Sequence, residues 1–257
     1  MPAPRRPFHP SRRAPGAKGH PLNALPDWRQ IDLVVFDVDG TLYDQRRLRR
    51  AMLGQLLRDA WRARSLDTLR TLRTFRQVRE ALGEEPEADF LRLQYARTAQ
   101  QHRKSEDEVR LLATEWLEQR PLPSMAACRY AHLPALFDAL RAAGKRIAVF
   151  SDYPAVDKLK ALGLRAELVV CATDPDIGRL KPDPAGLQSI LRQTGVAARR
   201  TLMIGDRFDR DAAAAQRAGA HSLIRSRKPH PHIPTFGSYA DPVFQPLLTG
   251  ARLPAAA

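Results

Sequence analysis

An apolar run that ends in two carboxylates places the strongest constraint on how this chain folds. Residues 33–36 are all apolar, as in a strand buried on both faces of a sheet, and Asp37 and Asp39 follow, with Gly40 and Thr41 next. Open α/β sheets bind ligands at the carboxyl ends of their strands, so both aspartates are predicted where the chain leaves a sheet. Two carboxylates that close repel each other unless a cation or a proton separates them. The pair therefore predicts a magnesium site whose carboxylates take part in covalent and acid–base chemistry.

Three later segments also place polar residues at the ends of short, well-defined stretches. The first follows the apolar run 147–150, the second is the Lys-Pro-Asp-Pro sequence at 181–184, and the third follows the apolar run 202–204. The polar residues of these segments that carry chemistry are Ser151, Asp152, Lys181, Asp206 and Asp211.

These four segments resemble, in order and spacing, the four motifs of the haloacid dehalogenase superfamily. Asp-Val-Asp-Gly-Thr-Leu at 37–42 is similar to its first motif, and Gly-Asp followed by Asp211 is similar to its fourth. The resemblance covers roughly residues 32–224. Within the superfamily the chain looks most like the phosphoglycolate phosphatase-like group, which carries a helical cap between the first two motifs.

The expected fold is α/β, with a Rossmann-like parallel sheet covered by helices and an inserted all-α cap. Strand-like and helix-like segments alternate after residue 132, which by itself indicates a parallel sheet covered on both faces. The resemblance adds the strand order 3-2-1-4-5. Between the first two motifs, Leu66, Leu69, Leu72 and Phe75 recur at helical spacing, and no strand pattern stands out.

The chain divides by composition and pattern into four predicted parts. Residues 1–26 form a basic, Pro- and Arg-rich arm without periodicity, which we expect to be disordered. The core is predicted at 27–43 and 132–225, the helical cap at 44–131, and a Pro-rich tail at 226–257. The pattern leaves open whether the tail packs on the core.

The resemblance assigns roles to the aspartates. Asp37 is the expected nucleophile, which forms an aspartyl-phosphate, and Asp39 is the expected general acid and base. The predicted magnesium ligands are Asp37, Asp39 and Asp206, with Asp39 contributing its backbone carbonyl. Asp211 is expected to orient the metal shell from behind, although a carboxylate early in a helix is also favoured by the helix dipole alone.

A second group of residues is expected to hold the phosphoryl group. Ser151 and Lys181 are predicted both to bind phosphate and to take part in catalysis, since Lys181 would offset charge that builds up in the transition state. The other predicted phosphate contacts are Asp152, Gly40 and Thr41.

Asp39 also decides between reaction types. The dehalogenases that give the superfamily its name lack this second aspartate, so its presence favours phosphoryl transfer. The leading interpretation is a magnesium-dependent phosphatase of a small phosphorylated metabolite, and a phosphatase that acts on a nucleotide or flavin phosphate fits the same motifs. A sugar phosphomutase of the same superfamily is the alternative, and a non-catalytic regulator that binds a phosphorylated ligand or nucleic acid comes third. The cap sequence carries no signature that chooses a substrate.

Composition bears on partners and on location. The net charge is +14 and the hydrophobic content is 44%, which suit a globular protein that attracts anions. Nucleic-acid contact through Arg5, Arg6, Arg12 and Arg13 of the arm is the weaker alternative to a solvated basic surface. No apolar stretch is long enough for a membrane span, and the two cysteines have no metal or redox spacing. We therefore expect a cytoplasmic protein, and a monomer by default.

Overall fold

A computed structural model of the protein describes residues 27–85 and 89–250. Its centre is a six-stranded, fully parallel sheet in the order β3-β2-β1-β4-β5-β6. The strands are β1 Leu33–Phe36, β2 Arg146–Ser151, β3 Leu168–Cys171, β4 Thr201–Gly205, β5 His221–Arg225 and β6 Thr235–Phe236. The predicted fold class and the order of the first five strands are confirmed. The sixth strand, which comes from the tail, was not predicted.

Ten α-helices surround the sheet within the described ranges. They are α1 Gln45–Ala63, α2 Asp67–Leu82, α3 Phe90–His102, α4 Glu106–Ala113, α5 Leu122–Cys128, α6 Leu133–Ala142, α7 Val156–Leu162, α8 Ala185–Thr194, α9 Ala213–Ala218 and α10 Gln245–Leu248. Two π-helical turns, Thr114–Gln119 and Phe208–Ala212, precede α5 and α9. No helix of this described part combines the length and the apolar character that crossing a bilayer needs.

The central strand β1 explains why its residues had to be apolar throughout. Val34 and Phe36 point to one face, where Phe137 of α6 lies 4.7 Å from Phe36 between ring centroids. Leu33 and Val35 point to the other face and pack with the residues of α8 and α9. Because successive side chains of a strand alternate, a strand covered on both sides has no position left for a polar residue. The first polar side chain, Asp37, comes where the strand ends.

The chain between β1 and α6 is helical in its described residues, apart from turns and two isolated β-bridges, which pair Tyr43 with Asp39 and with Arg129. Side-chain caps define two of the helix starts: the Asp44 carboxylate accepts backbone N–H groups at the start of α1, and Ser105 forms a capping box with Glu108 at the start of α4. Phe75 of α2 packs in a small core of its own with α3 and α4. The division into core and cap stays a prediction.

The described part of the C-terminal tail packs on the core. Tyr239, Phe244 and Leu247 are buried in the larger core cluster, and the Trp28 indole N–H donates to the Val243 carbonyl at 2.6 Å. This packing decides the point that the sequence pattern left open, for residues 226–250. The basic arm at 1–26, including its arginines, and residues 251–257 lie outside the described residues.

Candidate active site

Asp37 lies at the end of β1 and is fixed from three directions. Its backbone N–H donates to the Ile204 carbonyl of β4 at 2.9 Å, which continues the sheet by one residue. One carboxylate oxygen accepts the Thr41 hydroxyl at 2.9 Å, and the other lies 2.5 Å from the Lys181 ammonium nitrogen. The site thus brings together three of the residues that the sequence predicted.

Gly40 lets the loop after β1 approach the loop after β4. Its φ is 92°, in the left-handed region, and a Cβ atom added there would lie 2.2 Å from a carboxylate oxygen of Asp206. Only glycine satisfies both demands, because a side chain would be strained and would also displace Asp206. The glycine therefore sets how closely Asp206 approaches the β1 loop.

Lys181 is buried and pairs with two carboxylates. Its ammonium nitrogen lies 2.5 Å from Asp37 and 2.7 Å from Asp211, and 3.4 Å from the carbonyl oxygen of Phe150. Burial alone would lower the pKa of Lys181, but the negative charges of Asp211 and Asp37 outweigh it and hold that pKa well above its ordinary value. Lys181 therefore stays charged and neutralises part of the carboxylate cluster.

Asp211 organises the β4 loop from the π-helical turn Phe208–Ala212. One of its oxygens accepts the backbone N–H groups of Asp206 and Arg207, each at 3.0 Å, while the other pairs with Lys181. A Cβ atom on Gly205 would lie 2.3 Å from the Asp211 Cβ, so the glycine makes room for this carboxylate. Before α9 begins, the chain makes this wider turn, in which the Ala212 N–H donates to the Arg207 carbonyl.

Three carboxylates meet closely enough to share a cation. One oxygen each from Asp37, Asp206 and Asp211 lies within 4.8 Å of the others. Burial first, and then the neighbouring carboxylates, raise the pKa of Asp37 well above its ordinary value and that of Asp206 to about 7. A cluster that resists ionisation in this way fits a divalent cation, and oxygen donors are what magnesium prefers.

The members of this cluster differ partly from the predicted ligands. The predicted ligands were Asp37, Asp39 and Asp206. Both oxygens of Asp211 are engaged by Lys181 and by backbone N–H groups, and those of Asp37 by Lys181 and the Thr41 hydroxyl. The Asp206 carboxylate accepts no hydrogen bond from the described residues. The Asp39 carboxylate is outside the cluster, and its predicted contribution was its backbone carbonyl.

The Asp39 side chain points to a different pair of partners. The Lys158 ammonium lies 2.7 and 2.8 Å from its two oxygens, and the Tyr43 hydroxyl donates to one of them. Burial alone would raise the pKa of Asp39, but Lys158 outweighs it, and the pKa is lowered. Asp37 and Asp39, two residues apart, thus sit in opposite electrostatic surroundings.

The side chains of the second motif, Ser151 and Asp152, accept hydrogen bonds from backbone N–H groups of the loops around them. Ser151 is fully buried, and its hydroxyl oxygen accepts the Tyr153 backbone N–H at 3.2 Å. One oxygen of Asp152 accepts the Lys181 backbone N–H at 3.0 Å, and burial raises the pKa of this carboxyl. The phosphate-binding roles predicted for both residues stay predictions.

A cavity of about 790 Å³ lies above this edge of the sheet. Its floor consists of the charged residues already described, and the Lys158 side chain also belongs to it. Its roof consists of lining side chains from α1, α2, the turn Thr114–Gln119 and α5, which lie in the predicted cap. Of the four arginines at the start of α1, Arg49 lines this cavity.

The carboxyl end of α2 is joined directly to the loops of the floor. The Arg79 guanidinium donates to the Asp152 carbonyl and stacks over the Tyr153 ring at 3.9 Å. Buried Arg210 donates to the Lys181 carbonyl at 2.7 Å and lies 2.8 Å from a Glu84 oxygen. Roof and floor are therefore held together at this end of α2.

Sequence reasoning missed Lys158, Tyr43, Arg79 and Arg210. Lys158 lies one residue from core Leu159 in a helix that also carries exposed lysine, so its spacing gives no sign of a charged partner. Arg79 follows the apolar stripe of α2 at Phe75 and Val78 and had the pattern of a solvated position. A buried ion pair across distant segments leaves no local mark in one sequence.

Comparison with known proteins agrees with this arrangement. The sequence profile of the haloacid dehalogenase-like hydrolases matches residues 31–219. Phosphoglycolate phosphatase from Rhodospirillum rubrum is 35% identical over 109 residues, which are 41% of this chain and 45% of that protein. The matched stretch therefore spans less than half of this relative.

The matches to solved structures of the same architecture extend over almost the whole length of those structures. A 2-haloacid dehalogenase from Pseudomonas syringae superposes with a TM-score of 0.56 at 23% identity, over 85% of this chain and 98% of that one. CbbY from Rhodobacter sphaeroides, solved in complex with phosphate, gives a TM-score of 0.52 at 20% identity, over 82% of this chain and 96% of that one. At these identities the likeness concerns the fold. With the profile match across most of the chain, the sheet order and the carboxylate edge, the protein belongs to the haloacid dehalogenase-like hydrolases.

Proposed function

We propose that this hydrolase is a magnesium-dependent phosphatase that acts through an aspartyl-phosphate on Asp37. The observation that carries the proposal is the opposite surroundings of two neighbouring carboxylates. Asp37 belongs to the three-carboxylate cluster, whereas Asp39 is paired with Lys158 and Tyr43. Pairs of acids whose environments push their pKa values apart are suited to different roles in one reaction.

In the first step a carboxylate oxygen of Asp37 attacks phosphorus, and the bond from phosphorus to the leaving oxygen breaks. The proton that the leaving oxygen needs comes from Asp39. Lys158 favours the ionised form of Asp39 in the free protein, but an incoming phosphate dianion raises the pKa of a nearby carboxyl. Substrate binding therefore supplies the charge that lets Asp39 carry a proton.

In the second step Asp39 takes a proton from a water molecule, which attacks the aspartyl-phosphate and releases inorganic phosphate. This step needs Asp39 ionised, which is the form that Lys158 stabilises. Lys181 stays charged beside Asp37 throughout and offsets the negative charge of the phosphoryl group. Asp37 is restored at the end, so the cycle closes.

Asp37 and Asp206, with the backbone carbonyl of Asp39, would hold the magnesium ion. When bound, it would offset the repulsion among the carboxylates and polarise the phosphoryl oxygens. The raised pKa values of Asp37 and Asp206 support this part of the proposal, because the positive charges of Lys181 and Arg207 do not offset burial and the neighbouring carboxylates.

Two other chemistries were weighed. Hydrolysis of a carbon–halogen bond needs no acid to protonate the leaving group, and Asp39 with its own cation would have no task in it. A phosphomutase shares both aspartates and differs in returning the phosphoryl group to a sugar. A pure binding protein would have no use for two neighbouring carboxyl groups, Asp37 and Asp39, whose pKa values are shifted in opposite directions. The phosphatase is favoured because the floor contains all that hydrolysis needs.

The first experiment is phosphate release from a panel of phosphorylated metabolites, with and without magnesium, by wild-type protein and Asp39→Asn. The panel contains phosphoglycolate, sugar phosphates, nucleoside monophosphates and flavin mononucleotide. We expect magnesium-dependent release from at least one compound, reduced about 10²- to 10⁴-fold in the variant. Isomerisation of a sugar phosphate without phosphate release would assign the mutase instead, and no reaction with any compound would leave the binding protein.

A further inference from the structure

The roof of the cavity carries a continuous apolar face. Leu48, Met52 and Leu56 follow one another at intervals of four residues on α1 and all line the cavity. Leu72 of α2, Trp116 and Met125 extend this face. Leu48 and Met52 are largely buried in the core cluster and Leu56 packs against it, so only their outer atoms line the cavity. A phosphate group and a metal ion do not use such apolar atoms, which are therefore available to another part of the substrate.

The roof also carries guanidinium groups without partners. Arg73 and Arg76 lie one turn apart on α2, line the cavity, are exposed and have no ion pair or hydrogen bond among the described residues. Arg49 donates only to the neutral Gln45 side chain, at 2.7 Å. On the acidic side, Glu80 is occupied by Arg207 at 2.8 Å, whereas Glu118 has no ion pair in the described part of the chain. The roof therefore has an excess of unpaired positive charge.

The cavity volume is that of an arrangement in which the roof already contacts the floor. The end of α2 contacts both floor loops through Arg79 and Arg210. Its volume, about 790 Å³, is within the range of about 300–1,000 Å³ that is typical of pockets for organic molecules of drug size. A two-carbon phosphate would fill only a small part of this volume.

We propose that the substrate is a phosphomonoester with an apolar organic body and a second anionic group. The body packs against Leu48, Met52 and Leu56, and Arg73 and Arg76 hold the anion, a carboxylate or a second phosphate. Guanidinium groups are well matched to either anion, because their fixed N–H donors pair with two oxygens at once. This inference rests on the proposed phosphatase function and names its substrate class.

Four synthetic phosphates separate the two features. Ethyl phosphate has neither, phosphoglycolate has only the carboxylate, benzyl phosphate has only the apolar body, and 4-carboxybenzyl phosphate has both. All four release primary alcohols, so their leaving groups differ little. We expect the highest kcat/KM for 4-carboxybenzyl phosphate, with a loss of about 10-fold or more when either feature is removed.

Variants of the roof test the residues themselves. Arg73→Gln combined with Arg76→Gln is expected to lower kcat/KM about 10-fold or more for the two carboxylates and to leave benzyl phosphate within about 2-fold. Arg70→Gln, on the same helix but outside the cavity, is the matched control. Leu56→Asn is expected to lower kcat/KM for the two benzyl compounds, with the adjacent exposed Leu57→Asn as its control.

The outcomes keep the two proposals apart. Magnesium-dependent release that is fastest for phosphoglycolate, or equal losses on all four compounds in the arginine variant, would overturn the substrate class and leave the phosphatase standing. If wild-type protein releases phosphate neither from any of the four compounds nor from any member of the metabolite panel, both proposals fail. Circular dichroism of each variant confirms that a loss is not caused by unfolding.

Discussion

The floor and the roof of the cavity treat charge in opposite ways. On the floor, Lys181 and Lys158 each contact carboxylates at 2.8 Å or less, and both are buried. On the roof, Arg73 and Arg76 are exposed and unpaired in the described structure. Charges that are buried and paired are set before the substrate arrives, whereas unpaired charges wait for a partner from outside. This difference agrees with the proposals that the floor carries out the reaction and that the roof selects the substrate.

The largest expected effect comes from Asp37→Asn, which tests whether the floor acts on every substrate alike. Without the nucleophile we expect kcat to fall on the order of 10⁴- to 10⁶-fold, by the same factor for all four synthetic phosphates. Phosphate release under single-turnover conditions measures the loss. Asp138→Asn, an exposed position on α6, is the control. A loss confined to the carboxylated compounds would contradict the separation of floor and roof.

The second effect concerns the cation beside Asp39. Lys158→Met removes the charge that lowers the pKa of Asp39, so that pKa rises. Because water activation needs Asp39 ionised, the acidic limb of the kcat profile is expected to move to higher pH by about 1 to 3 pH units. Lys160→Met on the same helix, where Lys160 pairs with Asp157 at the surface, is the control. An unchanged limb would mean that another group carries it.

The third prediction uses the carboxylate cluster without any substrate. The pKa of Asp206 is about 7 in the folded protein without metal, above its ordinary value of 3.8. Between these two pH values the unfolded chain loses this proton while the folded protein keeps it, so the free energy of unfolding falls as the pH rises. A bound cation offsets this loss. We expect magnesium to raise Tm more at about pH 8 than at about pH 6. Equal shifts at both pH values would argue against a cation at this cluster.

The smallest effect lies beneath the floor. The buried Tyr239 hydroxyl donates to the Thr41 carbonyl at 2.7 Å and so joins the tail to the first motif. Tyr239→Phe is expected to lower the free energy of unfolding by about 1 kcal/mol, with kcat nearly unchanged. Urea denaturation measures this, and Tyr130→Phe is the control because its hydroxyl has no hydrogen-bond partner among the described residues. A large fall in kcat would show that the tail shapes the floor.

The floor was predictable where one segment supplies both position and chemistry. Asp37 follows an apolar strand directly, so its place at the sheet edge needed only the pattern of its own neighbours. Lys181, Asp206 and Asp211 were found through the resemblance of short motifs to those of the superfamily. Their meeting at one edge follows from parallel strands, which all point their carboxyl ends the same way.

The rest depends on contacts between segments far apart in the chain. Lys158 and Asp39 are separated by 119 positions, and Arg79 and Asp152 by 73. Such pairs form only once the helices have packed. The sequence around a lysine on a short helix has the same pattern whether the side chain is buried or solvated. The strand β6 was missed for a similar reason, because two residues paired to β5 give no periodic pattern.

In the proposed enzyme, helix α2 sets the distance between the arginines that bind the substrate and the loops that carry out the reaction. Arg73 and Arg76 lie on the roof. One turn further along α2, the Arg79 guanidinium donates a hydrogen bond to the Asp152 carbonyl of the floor loop. A rise of 1.5 Å per residue places Arg73 about 9 Å along the axis from Arg79. Because a helix hardly stretches, this interval limits how long a molecule fits between its two anionic ends. An inserted residue between positions 76 and 79 would turn the roof arginines by about 100° relative to the floor and would change which substrate length is accepted.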